Sequence, residues 1–327
     1  MEYITIAGTE LKVSRIGMGT WAIGGWMWGG TDEQTSIQTI HSALEQGINL
    51  IDTAPIYGHG LSEEIVGKAL ERFGNRDKVV LATKVGLEWS ENQVFRNSTK
   101  ERIVKEIEDS LRRLHTDVID IYQVHWPDVS TPIDETAEAM NVLYKEGKIR
   151  AIGVSNYSKE QMEIFRQTAP LHTVQPPYNL FERTAEQEVL PYAKKHGIAT
   201  LTYGALCRGL LSGRMKPDTK FSGDDLRKID PKFQMPLYDQ YLEAVTQLDG
   251  FAREHFGKNV LSLAVRWLLD QSYVSVALWG GRRPEQFNVV KEVAGWKLDE
   301  QSLKAIDKIL ESAIQHPIGA EFMAPPT

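Results

Sequence analysis

Four side chains in this sequence can together place a proton on an oxygen: Asp52, Tyr57, Lys84 and His125. Asp52 and Tyr57 share the segment Asn49-Leu-Ile-Asp52-Thr-Ala-Pro-Ile-Tyr57. Lys84 closes Val79-Val-Leu-Ala-Thr-Lys84, and His125 closes Val118-Ile-Asp-Ile-Tyr-Gln-Val-His125. A phenol alone is a weak acid, with a reference pKa of about 10. A lysine ammonium beside it favours the phenolate and is expected to lower that value. Asp52 is the expected counter-charge for Lys84, and His125 can hydrogen-bond the same substrate oxygen. Such a site protonates a carbonyl. That is half of a reduction, and the hydride must come from a cofactor because no side chain carries one.

Taken singly, each residue has a plainer role. Asp52 can cap a loop, Tyr57 can be a half-buried aromatic and His125 a hydrogen-bonded core histidine. Lys84 also has a second chemistry, Schiff-base formation, but a paired Asp52 would keep it charged and a poor nucleophile. Their joint order decides for function, since each follows one of three successive apolar runs.

Those runs belong to a longer alternation. Eight short strands rich in Val, Ile and Leu are expected at Arg15–Met18, Ile48–Ile51, Val79–Thr83, Ile119–Val124, Ala151–Val154, Thr173–Gln175, Ala199–Thr202 and Val274–Leu278. Amphipathic helical runs separate them. Ser98 with Glu101 predicts a capping box for a helix over Thr99–Leu114, striped by Ile103, Ile107, Leu111 and Leu114. Thr131-Pro132 opens the next helix and Gly147 ends it, while Ser158 with Gln161 opens another. Eight such units predict a closed (β/α)8 barrel, one domain over residues 1–327. A doubly wound sheet would show a glycine-rich phosphate loop after its first strand, and Gly17, Gly19, Gly24 and Gly25 lack that spacing. Glu2–Ile6 and Lys12–Val13 predict an N-terminal hairpin lid around Gly8. Cys207–Tyr238 predicts a long functional loop after strand seven, and His316–Thr327 a tail whose Phe322 and Met323 can cover a pocket mouth.

In barrel enzymes the site lies where the strands end, so other strand-end residues become candidates. Ser155, Asn156 and Gln175 can hold an amide such as the nicotinamide carboxamide, and Tyr203 offers a flat face to its ring. Gly280 and Gly281 lead into Arg282-Arg283-Pro-Glu-Gln286, where backbone N–H groups and two arginines suit a phosphate. A solvated helix start is the plain alternative. Trp21, Trp26, Trp28, Trp89 and Trp126 all follow early strands and suggest an apolar wall around the carbonyl. No carboxylate-clamping arginine stands out in those loops, which points to an uncharged aldehyde or ketone.

The bulk numbers narrow the classes. Hydrophobic residues at 42% and charged residues at 25% suit a soluble core. A formal net charge of −7 without a Lys/Arg-rich run argues against a nucleic-acid partner. Cys207 is the sole cysteine, which excludes an internal disulfide, fits a reducing compartment and reads as a small packed side chain. No basic segment followed by an apolar stretch opens the chain. No apolar run approaches membrane-spanning length; even Leu261–Leu269 is broken by Ser262 and Arg266. No cluster has metal-ligand spacing; Asp117 and Asp120 near His115 read as a helix end and turn. A cytoplasmic monomer with a small-molecule partner, without membrane or metal, is expected.

The ordered motifs carry a resemblance. Gly-Met-Gly-Thr20-Trp21, Asp52-Thr-Ala-Pro-Ile-Tyr57-Gly, Gly58-His-Gly-Leu-Ser-Glu63, Ala82-Thr-Lys84, Val124-His125-Trp-Pro-Asp128, Gly147-Lys-Ile-Arg-Ala-Ile-Gly-Val-Ser155-Asn156, Gln175 and Gly209-Leu-Leu-Ser-Gly-Arg214 run in order from about Leu11 to Trp296. This pattern resembles the aldo-keto reductase superfamily, most of all its bacterial general-stress and inositol-operon branch. The resemblance implies NADPH-dependent reduction of aldehydes or ketones, with Tyr57 as proton donor, Lys84 and Asp52 tuning it and His125 orienting the carbonyl. It also implies Thr20 and Trp21 at the nicotinamide end and Leu206, Gly209 and Arg214 along the pyrophosphate. Reactive or lipid-derived aldehydes are the implied substrates, and detoxification the implied role. The chain departs from the family at Tyr203-Gly204-Ala-Leu206, where relatives often read Tyr-Ser-Pro-Leu. It departs again at Val289-Val290, where they often carry Glu-Asn; Gln286 is kept. The resemblance leaves a second function open, an NADP(H)-binding regulatory subunit with poor turnover. That branch tends to carry Asn where this chain has His125.

Overall fold

The computed structural model describes residues 1–90 and 93–326. The chain opens with the antiparallel pair β1 (Tyr3–Thr5) and β2 (Lys12–Ser14). Eight parallel strands then close into a barrel: β3 (Ile16–Gly19), β4 (Leu50–Asp52), β5 (Val80–Val85), β8 (Ile121–Val124), β9 (Ile152–Ser155), β10 (Thr173–Gln175), β11 (Ala199–Thr202) and β12 (Val276–Gly280), with β12 pairing back onto β3. The expected (β/α)8 architecture is present. Around it run α1 (Glu33–Glu45), α2 (Leu61–Phe73), α3 (Lys100–Arg113), α4 (Ile133–Lys145), α5 (Lys159–Thr168), α6 (Val189–Lys195), α7 (Leu237–Phe256), α8 (Val260–Asp270) and α9 (Glu300–Ala313).

Two apolar layers hold the barrel. The larger lies between strands and helices, where Ile103, Ile107 and Leu114 bury the stripe of α3, which packs on β5 and between α2 and α4. Burying one such side chain stabilises by about 1.5–3 kcal/mol. The smaller fills the barrel base: Leu50, Val80, Ile121, Ala151, Ala199 and Val276 meet Ile6, Leu11 and Val13 of the N-terminal hairpin. The hairpin therefore plugs the end where the strands begin. The opposite end stays free for chemistry.

Several boundaries differ from the sequence expectation. Strand β12 starts two residues late because Val274 N–H closes a turn onto the Gln271 carbonyl, and Arg15 takes the Val274 and Ser275 carbonyls. Helix α3 is capped by Thr99, whose hydroxyl accepts from Arg102 N–H; Ser98 N–H donates instead to Asp128. The Ser158–Gln161 capping box of α5 forms as expected. A second antiparallel pair, β6 (Leu87–Trp89) with β7 (Val94–Arg96), follows β5 and carries Trp89. The Cys207–Tyr238 segment is less irregular than expected. It holds 3-10 turns at Cys207–Ser212, Leu226–Lys228 and Pro231–Phe233, and α7 begins at Leu237. Glu182, Arg208, Asp230 and Lys232 form a buried charge cluster beneath it.

Candidate active site

The strand register brings the four candidates together. Gly280 pairs with Gly19, Gly19 with Asp52, Asp52 with Ala82, and Lys84 with Gln123, so the strand ends step round one rim. Lys84 is fully buried, and its Nζ donates to Asp52 Oδ1 at 2.6 Å, to the Thr53 carbonyl at 2.9 Å and to the Tyr57 hydroxyl oxygen at 3.3 Å. Three acceptors match the three N–H groups of an ammonium. A charged Lys84 in that geometry has no lone pair for a Schiff base. The His125 ring stands edge-on to the Tyr57 ring, 5.7 Å between centroids, and its nitrogens make no hydrogen bond among the described residues.

Burial governs the charges here. It draws the Lys84 ammonium below its ordinary range, opposed by Asp52 and then Glu63. It also holds His125 well below 6.5, reinforced by the Lys84 charge, so the imidazole is neutral. The Tyr57 phenol is pushed well above 10 by burial and then by the Asp52 charge. This reverses the direction expected from Lys84 alone, since desolvation and a carboxylate together outweigh one ammonium. The phenol is thus fully protonated in the resting site.

The aromatic wall is assembled as a chain of rings. Trp21 lies along Tyr57 at 6.0 Å and takes the edge of Trp28 at 5.5 Å. His59 bridges Trp26 at 4.9 Å and Trp89 at 5.5 Å. Trp26, Trp89 and Trp126 pack with Tyr57 over Ala54, Ile56 and Leu87. All five tryptophans are partly buried. An arginine that the sequence reading did not single out also stands at this wall, though not as a carboxylate clamp. Arg96, on β7, lies 5.3 Å from the Trp126 ring, but its two terminal nitrogens donate to the Pro127 and Pro325 carbonyls. The sequence reading missed it because strand β7 was not foreseen.

The other half of the rim is built differently. Ser155 Oγ donates to the Gln175 carbonyl, Asn156 Nδ2 to Ser155 Oγ and the His125 carbonyl, and the Tyr203 hydroxyl to Asn156 Oδ1. The amide donors are thereby committed. Gln175 Nε2 is also committed, to Asp52 Oδ2 at 2.9 Å. Acceptor capacity remains on Gln175 Oε1 and the second lone pair of Asn156 Oδ1, which fits the NH2 of a carboxamide. Thr20 is fully buried and its hydroxyl donates to the Asp52 carbonyl, so it braces the strand below the rim while Trp21 reaches it.

Past β12 the expected helix is a three-residue 3-10 turn, Pro284–Gln286. Gln286 Oε1 accepts from both Arg282 and Arg283 N–H, so the backbone groups offered to a phosphate already have a partner. Gly281 admits no side chain, since a Cβ there would lie 2.6 Å from the Phe287 ring; Gly280 is open. The Arg282 guanidinium donates to the Trp28 and Gly30 carbonyls, whereas Arg283 is exposed. Val290 is buried and Val289 packs on the core. After β11, Gly204 and Gly209 have φ of +75° and +91°, Leu206 packs on the core and the Arg214 side chain is exposed. Cys207 is fully buried, its thiol pushed up to about 12 by burial.

Sequence reading also missed residues that tie these parts together. Gln123 donates to Asp52, and Asp128 accepts from Ser98 N–H, Ser130 and Thr131 to anchor the Trp126 loop. Gln123 was findable: it lies two residues before His125, on the same inward face of a strand. Asp224 accepts from Met27 and Gly29 N–H across the barrel mouth, and no local pattern announces it. Among the described residues no group of three or more His, Cys, Asp or Glu is placed to hold a metal, and no helix is long and apolar enough to cross a membrane.

Comparison with known proteins places this geometry in a family. Residues 15–311 match the model of the aldo/keto reductase family. The chain is 62% identical over 327 residues to the aldo-keto reductase YhdN of Bacillus subtilis (strain 168), covering 100% of this chain and 99% of that protein. It is 38% identical to the NADH-specific methylglyoxal reductase of Escherichia coli (strain K12), over 88% of this chain and 91% of the relative. Among solved structures, the glycerol dehydrogenase AKR11B4 from Gluconobacter oxydans superposes with a TM-score of 0.89 at 55% identity, covering 98% and 99% of the two chains. The chain belongs to the aldo/keto reductase family, as an oxidoreductase that acts on carbonyls with a nicotinamide cofactor.

Proposed function

We propose that the chain reduces uncharged aldehydes or ketones to alcohols, with NADPH as the preferred cofactor and Tyr57 as the proton donor. The observation that carries this reading is the Lys84 ammonium held between Asp52 and the Tyr57 hydroxyl, with a neutral imidazole beside it that has no partner among the described residues. When bound, the reduced dinucleotide supplies the hydride. The chain's own residues do the rest. His125, neutral, presents one N–H to the carbonyl oxygen and positions it against the Tyr57 hydroxyl. As charge grows on that oxygen, Tyr57 gives up its proton, and the Lys84 ammonium 3.3 Å away stabilises the phenolate. Asp52 keeps the ammonium charged through that moment. The tryptophan wall shields the oxygen from water, which strengthens each of these interactions.

Arg282 and exposed Arg283 support NADPH, since both lie at the turn where a 2′-phosphate would be met. Two observations favour NADH instead: the Arg282 guanidinium is engaged by the Trp28 and Gly30 carbonyls, and a relative 38% identical is named NADH-specific. The test is oxidation of NADPH and of NADH, followed by absorbance, over a panel including methylglyoxal and hydroxyalkenals. Carbonyl-dependent loss of NADPH at lower KM than NADH supports the reading. Tight dinucleotide binding without turnover on any carbonyl would instead make the chain a sensor or regulatory subunit.

A further inference from the structure

We propose that Gln123 is a positioning residue of the reaction, whose side-chain amide locks the Asp52 carboxylate in the orientation that lets Lys84 bridge to Tyr57. The inference rests on the carbonyl-reducing reading of this site. Asp52 Oδ1 receives Lys84 Nζ at 2.6 Å, while Oδ2 receives Gln175 Nε2 at 2.9 Å and Gln123 Nε2 at 3.2 Å. Gln175 Nε2 also lies 3.4 Å from Gln123 Oε1, so the two amides support each other. A rotation of the carboxylate would break all three of its hydrogen bonds. Lysine alone does not fix that rotation, because an ammonium is a point charge that accepts either oxygen.

The surroundings show that the amide is accommodated at a cost. Gln123 is fully buried inside the barrel, where an amide is unfavourable unless bonded. It pairs in register with Lys84 on β5, and on its other side lies Gly153 of β9. A Cβ on Gly153 would approach Gln123 Cγ to 2.7 Å and Oε1 to 3.3 Å. It would meet Thr173 Oγ1 more closely still, so the bare backbone of Gly153 leaves room both for that hydroxyl and for the amide. The ionisable groups about the Asp52–Lys84 pair are Tyr57 from the loop after β4, His125 just past β8 and Glu63 from α2. Gln123, like Gln175, is a neutral donor, so it holds the carboxylate without competing for a proton.

Two variants and one cycle test this on the whole chain. Gln123→Met keeps shape and removes the donor; Gln123→Glu keeps shape and donates only while protonated. With 4-nitrobenzaldehyde and the better dinucleotide, Gln123→Met is expected to lower kcat roughly ten- to hundredfold, the worth of one hydrogen bond to a charged group. Dinucleotide affinity, read from tryptophan fluorescence, stays unchanged, and the acid limb of kcat moves to higher pH. Gln123→Glu is expected to lose activity as pH rises and its carboxyl ionises beside Asp52, which a purely packing role does not produce. Denaturant unfolding of Gln123→Met, Asp52→Asn and their combination needs no turnover. Losses that fall short of additivity support the lock. Additive losses, or a folded Gln123→Met with wild-type kcat and pH profile, overturn it. Absence of wild-type turnover on every carbonyl would overturn the reductase reading separately, and the unfolding cycle would still decide whether Gln123 grips Asp52.

Discussion

The two halves of the barrel rim are made in opposite ways. On the side of β4, β5 and β8, the reactive groups sit on strands or one short turn away, and Lys84, Asp52 and Gln123 are buried and cross-bonded. On the side of β11, β12 and β3, the charged groups sit on loops. Arg214 and Arg283 are exposed, and the loop after β3 is tied down from outside by Asp224 and Arg282. Proton transfer demands positions fixed to a fraction of an ångström, which a hydrogen-bonded strand supplies. A long dinucleotide needs a groove that can open, which strands cannot supply and loops can. Under the proposed function Arg282 would follow the second strategy, since its present partners are two carbonyls that a phosphate could replace.

This contrast can be broken by substitution. The largest effect is expected from Tyr57→Phe: kcat falls by on the order of 10²–10⁴ while dinucleotide affinity holds. Stopped-flow single turnover checks it, and retained turnover would remove Tyr57 as the donor. Next comes Lys84→Met, which leaves Asp52 charged and unpaired in the interior and is expected to cost about 3–5 kcal/mol in denaturant unfolding. An unfolding curve like that of the wild type would mean the strand-built half is not tightly coupled. Third, Arg282→Ala is expected to weaken NADPH roughly tenfold and NADH little. Equal losses on both, by fluorescence titration, would move Arg282 away from the 2′-phosphate.

Smaller effects sharpen the same picture. His125 is neutral in the folded chain because burial and Lys84 hold its pKa well below 6.5. The unfolded chain therefore binds a proton there first, and stability is lost as pH falls below about 6.5 toward the folded value. Melting measured from pH 7 down to pH 5 is expected to fall, and less so in His125→Gln; parallel curves would contradict this. The smallest effect is expected from Asp224→Ala. It severs an exposed tie and leaves the melting temperature within about 2 °C. Faster dinucleotide release in stopped-flow fluorescence would show that this tie closes the loop-built half; an unchanged rate would mean the loop after β3 is held elsewhere.

The two halves also differ in how legible they were. Asp52, Tyr57, Lys84 and His125 were readable because each follows an apolar run, and parallel strands of similar length end on one rim. Gln123 shares that logic through its two-residue offset from His125. The opposite half was read less well. There the sequence named Gln286 and Thr20 as cofactor candidates but did not foresee their local bonds, Gln286 to the Arg282 and Arg283 N–H groups and Thr20 to the Asp52 carbonyl. Hydrogen bonds among loop side chains depend on where the backbone finally lies, and no periodicity encodes that. Hairpin β6–β7 escaped because its two short strands carry too little alternation to stand out.

By itself the sequence determined the alternation of strands and helices, and hence the barrel and the company of four residues at its end. Those follow from local periodicity and the right-handed closure it imposes. Tertiary structure alone decided the direction of the Tyr57 shift, the neutrality of His125, the grip of two amides on Asp52 and the closure of the loop after β3 by Asp224 and Arg282. Each of these depends on distance and desolvation between residues far apart in the chain, and both quantities come into being only when the barrel closes.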